Sequence, residues 1–178
     1  MSVEAAVSLL AAWQARSPAL LAFGGDSAIE LASAVVVLWS FRADATQDAE
    51  RRAARIAGLL LFVLAACVVT TSVVALLGCS QPKPTLLGIA ILIAAAVCMP
   101  LLTREKRRLS GATASAALRA DAAQSAMCAY LSLIALVGLV VNTVWHIRWA
   151  DPAAALFIVP LVVREGWEAM HGEGCQCA

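Results

Sequence analysis

Asp26 and Glu30 are the first residues in the chain whose types and spacing could do chemistry. They stand four apart in a stretch that is otherwise nearly apolar. On a helix that spacing stacks the two carboxylates on one face, one turn apart. Two acidic oxygen donors so placed attract a divalent cation, and their like charges raise the proton affinity of one of them. A second stripe follows at Asp121, Gln124 and Cys128, spaced by three and four with Ser125 beside them. Gln offers a carbonyl oxygen and Cys a thiolate, and a thiolate suits a soft or borderline metal such as zinc. A third group, His171, Cys175 and Cys177, lies in a Gly-rich C-terminal tail and could hold zinc weakly or accept it from a carrier. Each group also has a plainer reading. Gly24-Gly25-Asp26-Ser27 could cap the outer end of a helix. Gln, Ser and a buried Cys are ordinary packing groups between membrane helices. The tail could simply be disordered, with reduced thiols. The plain reading is hardest for Glu30, because residues 31–39 behind it are almost wholly apolar.

The elements that must position these groups are membrane helices. Of the 178 residues, 62% are hydrophobic and 14% charged, with a mean hydropathy of +0.84. A soluble domain carries roughly a quarter charged residues. The few charges cluster between long apolar stretches, as they must where lipid is the solvent. A net charge of +1 gives no sign of a nucleic-acid partner. Residues 20–41, 56–77, 85–102 and 121–144 each have the length and apolarity of a spanning helix. Residues 153–163 form a further span, with Asp151 as N-cap and Pro152 at the first helical position. That span requires Arg164, Glu165 and Glu168 to snorkel to the interface. Residues 5–15 are too short to cross by themselves. The N-terminus lacks the basic start of a signal peptide, and Cys67, Cys98 and Cys128, inside apolar runs, read as small core residues. The expectation is an all-α membrane bundle of five full spans plus a shortened first helix. It comprises a transmembrane domain over residues 1–170 and a short tail over 171–178.

Basic residues orient the bundle. Arg42, Arg51, Arg52 and Arg55 occupy one connection, and Arg104, Lys106, Arg107, Arg108 and Arg119 another. The alternate connections hold Lys83 alone and Arg148 alone. The positive-inside rule makes the two basic connections and the C-terminal tail cytoplasmic. His146, between Trp145 and Trp149, reads as an interfacial anchor.

Three stretches together resemble the cation diffusion facilitator family. Residues 25–33, Gly-Asp-Ser-Ala-Ile-Glu-Leu-Ala-Ser, look like that family's second helix. Leu118-Arg119-Ala120-Asp121, followed by Gln124 and Cys128, looks like the start of its fifth, and Trp149-Ala150-Asp151-Pro152 like the turn opening its sixth. The resemblance covers nearly the whole chain. It implies a six-helix membrane domain in the cytoplasmic membrane that exports a divalent metal, usually zinc, in exchange for protons; the short first helix would leave a polar face exposed unless a partner chain covers it, so a homodimer is expected. The family's metal ligands fall on Asp26, Glu30, Gln124 and Cys128, with Asp121, His171, Cys175 and Cys177 as secondary candidates. Here Gln and Cys stand where the family has a strong ligand and a carboxylate, which favours softer metals over magnesium or manganese. The family's cytoplasmic C-terminal domain has no counterpart in these residues. The expected function is a secondary transporter with no cofactor beyond the Zn2+ or similar ion it carries; a non-transporting metal-binding scaffold or regulatory subunit is the alternative. No His–Asp or Ser–His constellation supports an enzyme.

Overall fold

The computed structural model describes residues 2–42, 47–79, 82–83, 85–113 and 116–171. Within the helices, the side chains of residues 2, 33–34, 36–42, 47–54, 106, 110–113 and 116–124 lie outside that description.

The described elements are all helical: α1 (Ser2–Ala15), α2 (Pro18–Arg42), α3 (Gln47–Leu76), α4 (Leu86–Thr113), α5 (Ala116–Trp145) and α6 (Ala150–His171). Their ends follow local chemistry. The Ser17 hydroxyl accepts from the Leu20 N–H at 3.2 Å, with Pro18 at the first helical position, so a capping residue and a pre-set φ start α2 together. Gly78, at φ 80, ends α3. There Cys79 N–H reaches the Val74 carbonyl and Gly78 N–H that of Ala75, both at 3.1 Å, the pairing of a Schellman cap. Thr85 caps α4 by accepting from Gly88 N–H at 3.3 Å. The Lys83 N–H donates to the Ala15 carbonyl at 2.7 Å and so supplies a partner at the end of α1.

Residues Arg55–Leu76, Leu86–Leu109 and Ser125–Trp145 are long and apolar enough to cross a bilayer. At 25 and 22 residues, α2 and α6 have spanning length too, though both carry acidic groups. The 14 residues of α1 rise only about 21 Å at 1.5 Å each, the shortened first helix expected. The sequence places basic connections at residues 42–55 and 103–119, whereas helix α3 already begins at Gln47, α4 runs on to Thr113 and α5 starts at Ala116. The helices outrun the apolar stretches because Ala, Arg, Glu and Lys favour helix in water as well.

Helix α2 is the hub, packing against α1, α3, α5 and α6, while α5 and α6 also pack on each other. Leu20 and Phe23 of α2, Leu131 and Leu139 of α5 and Ile158 of α6 are fully buried there. By contrast, α3 and α4 expose Ile56, Leu59, Val63, Val97 and Leu101 outward, as lipid permits. Cys67 and Cys98 are exposed on these helices and Cys128 alone of the described cysteines is buried, correcting the expectation of three core thiols. In lipid, apolar composition does not distinguish the inside of a bundle from its outside.

Candidate metal site

Asp26 lies two turns into α2, beyond any cap, and is 1% exposed. The glycine before it matters. A Cβ on Gly25 would sit 2.4 Å from Cδ1 of Leu64, so its lack of a side chain lets α3 close over this part of α2. Glu30, one turn on, is half-buried. Cys128 enters from α5, again 1% exposed.

One carboxylate oxygen from Asp26, one from Glu30 and the Cys128 sulfur all lie within 4.8 Å of one another. The Cys128 thiol is directed at Glu30, 3.1 Å from Oε1 and 3.2 Å from Oε2. No described N–H or O–H donates to either Asp26 oxygen. Zinc–ligand bonds of 2.0–2.3 Å put tetrahedral ligand atoms about 3.5 Å apart. A contraction of about 1 Å, within rotamer adjustment, would bring these three atoms onto one ion. A borderline cation fits this donor set of two carboxylates and one thiol.

The remaining sequence candidates divide. Asp121 and Gln124 belong to α5, but their side chains lie outside the described residues, as do Cys175 and Cys177 altogether. His171 ends α6 and is not one of the three clustered ligand residues. Its ring stacks on Trp167 at 4.3 Å, and Nδ1 is 3.0 Å from the Trp167 carbonyl. His146 is exposed, at φ 55 in the turn between α5 and α6.

Two groups play parts that the sequence reading did not give them. Asp151, expected as a helix cap, is fully buried; its Oδ1 accepts the Ser17 hydroxyl proton at 2.7 Å, tying the α1–α2 corner to the start of α6. Glu165, expected to snorkel with Arg164 and Glu168, parts company with them. Arg164 and Glu168 pair with each other on the exposed face at 2.8 Å, while Oε2 of Glu165 is buried. The signal was periodicity: Ala155, Ile158, Val162 and Gly166 form the buried stripe of α6, and Glu165 borders its last member, itself half-buried.

Two carboxylates and a thiol gathered between the inner helices of a membrane bundle form a candidate site for a metal cation. The chain belongs to the cation efflux family, whose transmembrane domain matches residues 1–170. It is 25% identical over 176 residues to the manganese efflux system protein MneS of Bacillus subtilis (strain 168), covering 93% of this chain and 60% of that protein. It is therefore an integral membrane protein of a metal cation efflux family, and it spans about 60% of the length of that relative.

Proposed function

We propose that the protein is a secondary transporter that exports a divalent transition metal, with zinc the preferred substrate, in exchange for protons. The observation that carries this is the convergence of Asp26, Glu30 and Cys128 ligand atoms within 4.8 Å inside the bundle. Ionised carboxylates and a thiolate supply enough negative charge to offset the dehydration of a divalent ion. The sulfur favours zinc or cadmium over manganese; the name of the Bacillus relative makes manganese the first competitor to test.

Proton exchange follows from the ground state of the site. The thiol of Cys128 donates to Glu30. A cation that takes both groups must displace that proton, so metal loading and proton release are linked. Reprotonation from the far side would then help discharge the metal. The basic residues at 42–55 and 104–119 orient the loading side toward the cytoplasm by the positive-inside rule, and rocking of the inner helices would alternate access. No bond of the substrate is made or broken, so the protein acts as a carrier and not an enzyme.

A scaffold that binds metal without moving it would share the ligands but show no flux. Uptake of zinc, cadmium, cobalt and manganese into proteoliposomes, for the wild type and for Asp26→Ala and Glu30→Ala, separates the two. Zinc uptake that responds to a pH gradient and disappears in both variants supports the transporter. Binding without uptake of any of the four metals would replace it with the scaffold.

A further inference from the structure

Glu165 is the acidic group that the triad leaves out. Its helix is drawn in by small residues: a Cβ on Gly58 of α3 would lie 2.7 Å from the Gly166 carbonyl, and one on Gly166 3.1 Å from the Gly58 carbonyl. This close crossing fixes the neighbouring turn of α6 against the bundle. Glu165 borders Gly166, the last member of the buried Ile158–Val162–Gly166 stripe, its Oε2 is buried, and its carboxyl group is close enough to act electrostatically on Asp26. It is also close enough to act electrostatically on Cys128. Asp26, for its part, is 99% buried with no described donor to either oxygen. Two acids pressed together inside a membrane bundle are costly unless something positive lies between them. The pairing helices are the right ones, since α2, α5 and α6 all pack on one another.

Resting on the transport reading above, we infer that Glu165 is a further metal-binding residue, which reaches the ion beside Asp26 and makes the site a three-helix site of three carboxylates and one thiol. Its oxygens stand outside the 4.8 Å triad, so Glu165 closes onto the metal by a change of its own rotamers as the ion binds. The ion thereby clamps α6 to α2 and α5, which couples occupancy to the packing of the inner helices. The ligand class is a four-coordinate divalent transition metal with mixed oxygen and sulfur donors.

Cobalt(II) titration of the purified full chain in detergent tests this, because the ligand-field bands of cobalt report coordination and its charge-transfer band reports sulfur. The expected result is that Glu165→Gln weakens cobalt about 10- to 100-fold and alters the ligand-field bands while the sulfur band stays. Glu165→Asp, which keeps the charge at shorter reach, should restore part of the affinity, and Glu168→Gln on the exposed face should change nothing. If Glu165→Gln binds as the wild type does while Asp26→Asn loses cobalt, the inference is overturned and the transport site stands; Glu165 then merely shares a proton with Asp26. If the wild type binds neither cobalt nor zinc nor manganese, the transport site itself fails. Should Glu165→Gln fail to fold, Glu165→Asp decides alone, and an unchanged affinity and spectrum there overturns the inference.

Discussion

The thiol of Cys128 points at both carboxylate oxygens of Glu30, 3.1 Å from one and 3.2 Å from the other, across the α2–α5 interface. An S–H donating to a carboxylate is the resting partner of a site whose proton must leave before a metal can take both groups. Metal affinity therefore falls as pH falls, since protons and metal compete for the same atoms. Calorimetry of zinc binding in buffers of different ionisation enthalpy should give release of about one proton or more per ion. Release of none at neutral pH would detach binding from proton exchange.

The same sulfur sets selectivity. Cys128→Asp turns the triad into an all-oxygen set, so manganese should gain on cadmium by at least about tenfold in competition binding. Cys128→Ser, with a weaker donor of similar size, should weaken zinc and cadmium more than manganese. Equal losses for all three metals would mean that the sulfur does not set selectivity.

Ser17 holds the α1–α2 corner to the start of α6. Its hydroxyl both caps α2 and donates to the buried Asp151. Ser17→Ala removes the cap and leaves the Asp151 oxygen without that donor, at a cost of about 1–3 kcal/mol, read as a lower unfolding midpoint in detergent. Metal affinity should hardly change, because Ser17 lies beyond Leu20 and Phe23 from the triad.

Gly58 is a different kind of residue to lose. Its Cβ position lies 2.6 Å from Met170 Cγ and 2.7 Å from the Gly166 carbonyl, and backbone gives way poorly. Gly58→Ala should cost about 1–3 kcal/mol by forcing α3 and α6 apart. Because Glu165 adjoins that crossing, the variant should also weaken cobalt binding, which a purely peripheral contact would not do.

The fold was largely legible from sequence, since about 20 apolar residues per span and the alternation of basic connections leave few arrangements for a bundle. The pairing of Asp26 with Glu30 was legible too, because i,i+4 spacing on a helix puts two side chains on one face without any tertiary knowledge. Cys128 was visible only as one member of a polar stripe, and the other helix was needed to show where its thiol points. Glu165 was misread for a physical reason. Near the end of a membrane helix, snorkelling explains an acid as well as burial does, and only the close crossing at Gly58 and Gly166 decides between them. Ser17 and Asp151 lie 134 residues apart, and nothing local to either announces the other. The connections at 42–55 and 103–119 were shortened for the opposite reason: apolarity marks where the membrane ends, not where the helix does.

Zinc-edge X-ray absorption on the zinc-loaded chain, wild type beside Cys128→Ser, shows most directly which atoms hold the metal. A metal on Asp26, Glu30 and Cys128 should show one sulfur at about 2.3 Å with oxygen neighbours at about 2.0–2.2 Å in the wild type, and oxygen neighbours alone in the variant. Two sulfurs that persist in Cys128→Ser would move the site to Cys175 and Cys177 of the tail and contradict a metal held by Asp26, Glu30 and Cys128.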